Sequence, residues 1–301
     1  MTELTNPIAA TATADLPPSA GRMAGRARAF VRNPTALSGG IITLVLVLLA
    51  LASTFGLLAH DPVAQNPPAR LKPPSAEYWF GTDQFGRDIF ARVAAGVANS
   101  GLIALTAVAV AAVVGTLAGV VAGFYRGSSD AVISGITNVL FAFPPLLLAL
   151  SLASVFTRTW FTVAVAIAIV YVPIFIRVAR GPVLSLREID YVRAATSIGE
   201  ARWSVMLRHV LPNISSIVIV QVTLALSWAV LTEASLSFLG LGAPPPAPSL
   251  GSMIYESKTL VTIAPWTMVA PGAVIVLFVV GLNLLGDGMR DILDPRGKDW
   301  R

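Results

Sequence analysis

The sequence of 301 residues contains no cysteine and only two histidines, His60 and His209. Without cysteine, the chain has no disulfide, no thiolate nucleophile and no Cys-ligated metal site. The histidines lie in separate polar segments, so the sequence has neither a paired-histidine metal site nor an HExxH pattern. None of the three lysines, Lys72, Lys258 and Lys298, follows the glycine pattern of a phosphate-binding loop. We therefore expect a chain that is not an enzyme, holds no metal and leaves any ATP binding to another subunit.

Charged residues are also scarce. They make up 12% of the chain, hydrophobic residues make up 55%, and the mean hydropathy is +0.75, whereas soluble domains carry about 25% charged residues. A spanning helix needs about 20 apolar residues, and six uncharged runs approach or exceed that length: 36–59, 93–125, 131–157, 159–176, 210–232 and 259–286. The sequence predicts an all-α integral membrane protein with six transmembrane helices.

The distribution of lysine and arginine predicts the orientation, because these residues favour cytoplasmic segments. With six spans, the side that holds both termini carries fifteen of them: Arg22, Arg26, Arg28, Arg32, Arg126, Arg177, Arg180, Arg187, Arg193, Arg202, Arg208, Arg290, Arg296, Lys298 and Arg301. The opposite side carries six: Arg70, Lys72, Arg87, Arg92, Arg158 and Lys258. We predict that both termini and residues 190–212 are cytoplasmic.

Residues 190–212 form the most water-compatible long segment of the chain. Apolar residues recur there at spacings of three and four: Val192, Ala195, Gly199, Trp203, Met206 and Val210. This spacing is typical of one face of a helix. Gly199 permits a bend, and Pro212 suits the first turn of a new helix. The pattern predicts a helix, a glycine bend and a second helix at the membrane surface.

The same segment resembles the "EAA" loop of ABC importer permeases, which in that family docks into a groove on a cytoplasmic ATPase. The resemblance rests on Arg193, Ala194, Ala195, Gly199, His209, Leu211 and Pro212. Arg193 departs from the pattern, which has glutamate there, and His209 replaces a usual aliphatic residue. Asp190 lies three residues before Arg193 and can pair with it on one helix face; with Trp203 it completes the predicted coupling loop. The alternative is a basic amphipathic helix that lies at the membrane surface without a partner.

A second block precedes the second span and reads FGTDQFGRD. It contains Gly81, Thr82, Asp83, Gly86, Arg87 and Asp88. The charged residues can form local ion pairs and the glycines allow turns, so a structural role is favoured over ligand binding. Two carboxylates without histidine make a poor metal site. The block resembles the segment before the second span in dipeptide, oligopeptide and nickel permeases.

Glu233 is the acidic residue at the end of the fifth run. Counted from Pro212 at 1.5 Å per residue, it lies about 30 Å along a helix, near the outer membrane boundary. An ionisable residue at membrane depth is a candidate pathway or gate residue, although one so near the interface can also reach water or cap a loop. The surrounding block EASLSFLGLG, with PPAPSLG after it, and the C-terminal GDGMRDILDPR again resemble the peptide-permease subfamily.

Glycine and proline mark the predicted helix contacts and bends. Gly115, Gly119 and Gly123 form two overlapping GxxxG patterns, which let membrane helices approach closely. We expect them to contact this chain's own helices. Three prolines, Pro144, Pro145 and Pro173, are expected to bend the third and fourth spans.

The resemblance implies a C-type permease subunit of a binding-protein-dependent importer for dipeptides or oligopeptides. It implies a cytoplasmic tail over residues 1–33, a first span and extracytoplasmic segment over 34–96, a core over 97–286 with its coupling loop at 181–212, and a cytoplasmic tail over 287–301. The expected location is the bacterial inner membrane. The partners it implies are a homologous permease, two ATPase domains that bind ATP and magnesium, and an extracytoplasmic binding protein.

Two alternatives remain open from the sequence. One is a permease of the same family for nickel or another small solute, because selectivity resides largely in the binding protein. The other is an ion-coupled secondary carrier, which would show inverted repeats and broken helices around a midplane site. No convincing repeat and no mid-span acid are found in the sequence, which favours the importer.

Overall fold

The computed structural model describes residues 28–293. The basic residues Arg22 and Arg26, most of the predicted tail 1–33, and the C-terminal residues 294–301 lie outside the described residues. The described chain is helical, and its order is α1 (Pro34–Thr54), a 3-10 turn (Pro67–Ala69), α2 (Ile89–Tyr125), α3 (Gly127–Phe141), α4 (Pro145–Val155), α5 (Trp160–Leu186), α6 (Asp190–Ser197), α7 (Arg202–Val205), a π-helical turn (Met206–Val210), α8 (Leu211–Phe238), α9 (Leu250–Ser257) and α10 (Trp266–Leu293).

Five helical segments among residues 28–293 are long and apolar enough to cross a membrane. They are α1, α2, α5, the continuous segment Arg202–Phe238 and α10. The predicted all-α membrane fold is therefore confirmed. Residues within the described part of the chain form no strand, and the single isolated bridge joins Thr82 to Asp88.

The predicted third span, residues 131–157, is divided into two helices, and the bend predicted at its prolines is confirmed. Helices α3 and α4 form a pair bent by 93°, and the bend lies at Pro144 and Pro145. Pro144 precedes α4 and Pro145 begins it. Because proline lacks a backbone N–H and restricts the residue before it, the helix cannot continue through this dipeptide. Six spans are obtained only if the bent pair is counted as one.

The glycine stripe of α2 packs directly against the backbone of α5. A side chain added at Gly115 would meet the backbone oxygen of Val172 at 2.6 Å, and one added at Gly119 would meet that of Ile176 at 2.5 Å. One added at Gly123 would meet Val183 of α5 in the same way. The expectation that this stripe contacts the chain's own helices is confirmed, and α5 is the helix it contacts.

Polar contacts join the remaining long helices. Ser227 of α8 donates a hydrogen bond to Asn283 of α10 (2.8 Å), and Tyr171 of α5 contacts Thr232 of α8 (3.2 Å). The first helix, α1, packs against α10, where Gly39 approaches the backbone of Leu285. Pro173 lies inside α5 without ending it.

The two ends of the bundle carry different structures. One end, here called the loop end, consists of residues 187–210. The opposite end carries residues 60–88, here called the cap segment, and the short helix α9. The boundary that we drew between residues 96 and 97 falls inside α2, which begins at Ile89 with Asp88 as its N-cap.

Candidate functional site

The loop end has the predicted order of helix, glycine bend and helix. Helix α6 ends at Ser197, and Gly199 follows with φ of +90°. The Glu200 N–H donates to the oxygen of Ala195 (3.1 Å) and the Gly199 N–H to that of Thr196 (3.2 Å). This pair of bonds is the Schellman motif, which requires a left-handed residue that glycine supplies without strain.

The buried face of the loop differs from the predicted one. Val192, Ala195 and Val205 form a small apolar cluster against Phe124 of α2, whereas Trp203 is 52% exposed. The helical spacing was extended across Gly199, but the left-handed bend breaks the phase between the two helices. The prediction that Trp203 shares a face with Val192 and Ala195 is therefore wrong, because Val205 packs with them instead. Met206 and Val210 of the predicted face are buried.

The two alanines of the predicted motif point in opposite directions. Ala195 is buried at 8% exposure, while Ala194 is exposed beside Arg193. Ile198 is 84% exposed, which is unusual for an aliphatic side chain at the end of a helix. The outward surface of the loop thus includes a small residue, an arginine and an apolar side chain.

Polar contacts hold the return of the loop. Glu200 accepts hydrogen bonds from Ser204 Oγ (2.6 Å) and contacts His209 Nε2 (3.2 Å). The Ser204 hydroxyl, with a smaller contribution from His209, holds the pKa of Glu200 below its usual range. The pairing considered between Asp190 and Arg193 is not among the ion pairs of residues 28–293; Asp190 instead begins α6.

A π-helical turn joins the loop to the membrane. It covers Met206–Val210, and the N–H of Leu211 donates to the oxygen of Met206, five residues earlier. Pro212 lies in the first turn of α8, as predicted, but α8 does not start a separate helix there. Residues Arg202–Phe238 are helical throughout.

The FGTDQFGRD block is folded by its own polar groups. Gly81 and Gly86 both have positive φ, +74° and +73°. Asp83 Oδ1 accepts from the backbone N–H of Phe85 (2.8 Å) and Arg87 (3.0 Å). The Thr82 hydroxyl binds the oxygen of Ala69 and accepts from the N–H of Lys72 (2.8 Å). The predicted turns and the local ion pair are confirmed.

Four charged residues of the cap form a closed ring of ion pairs. Asp83 Oδ2 lies 2.6 Å from Arg87 Nε and 3.6 Å from Arg92 Nε. Glu256 Oε2 lies 2.8 Å from Arg87 Nη2 and 3.0 Å from Arg92 Nη2. Here this is called the charge ring. The Arg92 side chain is 2% exposed, so Glu256 and Asp83 balance its charge out of water.

Sequence reasoning missed Arg92 and Glu256, which lie 164 residues apart. An arginine inside an otherwise uncharged helix start was the available signal, since a charge there needs a partner. It also missed His60, whose Nδ1 lies 3.0 Å from Asp88 Oδ2 and whose ring stacks on Tyr78.

Glu233 is fully buried at the cap end of α8. Its Oε1 accepts from Ser237 Oγ (2.6 Å), and its Oε2 has no hydrogen-bond partner among the described residues. The sequence left open that this side chain reaches water or caps a loop, and the structure shows neither. Ser100 of α2 and Ser249, the N-cap of α9, lie beside the carboxyl group.

This arrangement defines a multi-pass helical membrane protein whose one end carries an exposed, rigidly turned loop and whose other end is braced by buried charges. The chain matches the family model described as "binding-protein-dependent transport system inner membrane component" over residues 115–299. Residues 22–74 match the "N-terminal TM domain of oligopeptide transport permease C". The chain therefore belongs to the family of permease subunits of binding-protein-dependent ABC importers, and it is a non-catalytic membrane subunit.

Three relatives cover nearly the whole chain. The dipeptide transport system permease protein DppC of Alkalihalophilus pseudofirmus is 42% identical over 268 residues, 89% of this chain and 88% of the relative. The probable D,D-dipeptide transport system permease protein DdpC of Escherichia coli is 40% identical over 264 residues, 88% of each chain. The glutathione transport system permease protein GsiD of Pectobacterium atrosepticum is 39% identical over 272 residues, 90% of each. Membership of this family overturns the alternative of an ion-coupled secondary carrier.

Proposed function

We propose that this chain forms, with a homologous permease, the translocation pathway of an ATP-driven importer for dipeptides and oligopeptides. The observation that carries the proposal is the 39–42% identity, over about nine-tenths of the chain, to permeases named for dipeptide, D,D-dipeptide and glutathione transport. These three solutes share a short peptide or peptide-like backbone. A nickel or other small-solute importer remains the alternative within the family.

The partners in this proposal are those that the fold requires for active transport. Two cytoplasmic ATPase domains bind ATP and magnesium, and an extracytoplasmic protein delivers the peptide. The expected mechanism is alternating access: ATP closes the ATPase pair, the 190–212 loop moves with it, and the bundle opens outward. ATP binding must favour one global state over the other for the loop to transmit any change.

The loop end carries the features that docking needs. Its outward surface presents Ala194, Arg193 and Ile198, while Ala195 packs inward with Val192. The Schellman turn and the Glu200 contacts hold this surface in one conformation, which lowers the entropy lost on binding. We propose that this surface meets the ATPase, and that Asp190, Trp203, His209, Leu211 and Pro212 support it.

Orientation follows from the charge distribution. We propose that the loop end and both termini are cytoplasmic, and that the chain resides in the bacterial inner membrane, with the cap segment on the outer side. Because the sequence has no cysteine, a single introduced cysteine is the only thiol in the chain. Its labelling therefore reports on which side of the membrane it lies. Ala76→Cys in the cap segment should react with an impermeant thiol reagent in intact cells, and Ser128→Cys should react only after permeabilisation. The reverse pattern would contradict the orientation.

Two sites keep structural or gating roles in this proposal. The FGTDQFGRD block, comprising residues 80–88, is folded by its own hydrogen bonds, so a structural role is retained over ligand binding.

Lining a pathway requires contact with water, which the buried Glu233 lacks. The proposal therefore keeps Glu233 as a gate residue and not as a pathway residue.

The substrate is tested on the whole complex. The permease is co-purified with its partner permease, ATPases and binding protein, and ATP hydrolysis is measured with dialanine, D-alanyl-D-alanine, glutathione and nickel chloride in turn. We expect stimulation by at least one of the three peptides and none by nickel. Stimulation by nickel alone would replace the peptide assignment with the metal alternative.

A further inference from the structure

One helical segment joins the two ends of the molecule. Residues Arg202–Phe238 are helical over 37 residues, which at 1.5 Å per residue corresponds to about 55 Å. Its first turns carry the return of the loop, with Glu200 bonded to Ser204. Its last turns carry Glu233, which lies beside Ser249 at the N-cap of α9, and Ala234, which packs against Gly251 of α9. Any rotation or shift of the loop is therefore delivered to the far end of α8.

At that end, the backbones of α8 and α9 are in direct contact, with no room for a side chain between them. A side chain added at Gly251 of α9 would overlap the backbone oxygen of Ala234 of α8. Backbone in direct contact with backbone cannot slide without separating, because close-packed interfaces shift between discrete arrangements. Helix α9 therefore moves as one body with the end of α8.

The other side of α9 is tied to α2 and to the cap segment through polar groups. Glu256 of α9 bonds to Arg87 and Arg92. The amide of Asn99 donates to the oxygen of Pro248 (2.7 Å), and the N–H of Leu250 lies 3.3 Å from Ser100 Oγ. Since the buried Arg92 cannot lose Glu256 without leaving its charge under-compensated, this tie is kept when α9 moves.

We propose that α9 and the charge ring form a brace that carries movement of α8 to the cap segment. Arg92 and Glu256 are its positioning residues. The inference rests on the proposed function of the 190–212 loop as the ATPase contact, and it adds the route by which that contact reaches the outer face. The proposed series of contacts runs from the loop through α8, α9 and Glu256 to Arg87 and Arg92.

The test uses the purified complex with its ATPases and reports on the cap without any peptide. A single cysteine, Ala76→Cys, is placed in the exposed cap segment, and its labelling rate is measured with and without ATP and vanadate. We expect a nucleotide-dependent change in labelling. If nucleotide does not change the labelling rate in the otherwise unaltered complex, the brace is contradicted. This measurement does not depend on which solute is transported, so it separates the brace from the peptide assignment.

The matched variants separate coupling from charge balance. Glu256→Gln alone leaves Arg87 and Arg92 with one carboxylate, while Glu256→Gln combined with Arg92→Gln leaves the balanced pair of Asp83 and Arg87. We expect the double variant to assemble at the level of the unaltered complex and to keep its basal ATP hydrolysis, but to lose the nucleotide-dependent labelling change. The single variant should lose the change and also assemble less well.

Two results would overturn the proposal. If the double variant recovers the labelling change, the ring only balances a buried charge. If the double variant fails to assemble, the ring is a folding element and carries no separate coupling role.

Asn99→Ala serves as a second probe, because it removes a neutral tie between α2 and α9 without altering charge; we expect it to reduce the labelling change by about twofold to tenfold.

Discussion

A side chain added at Gly199, in the loop, would meet nothing within 4 Å, whereas one added at Gly86, in the cap segment, would overlap the backbone oxygen of Asn66. Both glycines have positive φ, +90° and +73°. At the loop end the glycine only turns the chain and the surface around it stays open. At the cap end the turn is also enclosed by packed backbone. The same residue type therefore shapes the proposed docking surface at one end and an enclosed turn at the other.

The comparison extends to charge. The arginines of the loop end lie on or near the surface, with Arg187 paired to the exposed Glu188, and such pairs contribute little to stability. The cap end buries Arg92 inside the charge ring, where loss of one partner is costly. We therefore expect the exposed surface of the loop end to tolerate substitutions better than the buried contacts of the cap end.

The largest expected difference lies within the loop end, between its two alanines. Ala195→Glu would place an unpaired charge against Val192 and Val205, at a cost of about 3–5 kcal/mol by analogy with buried charges that lose a partner. Ala194→Glu would leave the fold intact but overpack the docking surface, at about 1–3 kcal/mol. We expect Ala195→Glu to reduce the amount of folded chain in the membrane. We expect Ala194→Glu to insert normally while its ATPase is lost during purification.

The measurement is the ratio of ATPase to permease in the purified complex, together with membrane levels of the permease. Ser197→Glu, at an exposed position of α6, is a control for added negative charge. Full ATPase retention and normal peptide uptake by Ala194→Glu would contradict the docking role of this surface. The loop would then be the basic surface helix that the sequence offered as its alternative.

Substituting alanine for the two glycines tests the open and enclosed turns directly. A non-glycine residue in the left-handed region costs about 1–2 kcal/mol, and both variants incur it. Gly86→Ala adds a backbone overlap, which raises its cost by about 1–3 kcal/mol. We expect a larger fall in the thermal unfolding midpoint of the complex for Gly86→Ala than for Gly199→Ala. Equal shifts of the unfolding midpoint would mean that the backbone around Gly86 adjusts to an added side chain as easily as that around Gly199.

A smaller effect is expected where α8 meets α9. Ser237→Ala removes the hydroxyl that donates to Glu233 Oε1, so the buried carboxyl group loses a hydrogen-bond donor. We expect a loss of about 1–3 kcal/mol in the free energy of unfolding. Ser215→Ala, at an exposed position of the same helix, should change it by less than about 0.5 kcal/mol. Similar effects from both serines would argue against a polar tie at Glu233.

The smallest effect is a pH dependence at the loop end. The pKa of Glu200 is held below its usual range, mainly by the Ser204 hydroxyl. A carboxyl group whose pKa is lower in the folded chain stabilises it above the unfolded pKa, and this contribution is lost as the pH falls through the folded value. Ser204→Ala should therefore lower the unfolding midpoint slightly at pH 7, and the difference should vanish below the usual carboxyl range. A difference that persists in acid would contradict this cause.

The sequence predicted the features that depend on local chemistry. The Gly199 bend, the turns at Gly81 and Gly86 and the ion pair of Asp83 with Arg87 all follow from residues a few positions apart. The glycine stripe of α2 was also predicted, because small residues at one helical face need a close neighbour.

What the sequence did not predict depends on distant residues or on a break in phase. Glu256 of α9 meets Arg92 of α2 only after the six intervening α-helices, α3 to α8, have folded, so no local pattern predicts the charge ring. Trp203 was placed on the wrong face because a 3.6-residue period was carried across a left-handed residue. The bend at Pro144 and Pro145 was predicted, but the residue types alone did not give its size, which is 93°.

The π-helical turn at Met206–Val210 sets the rotational phase between the loop and the membrane helix. Each residue of an α-helix advances by about 100°, and a π turn holds one residue more than an α turn. Arg202 and Trp203 therefore face about a quarter turn away from where an uninterrupted helix would aim them. This one extra residue therefore sets the direction in which the surface of the loop points relative to the membrane helix.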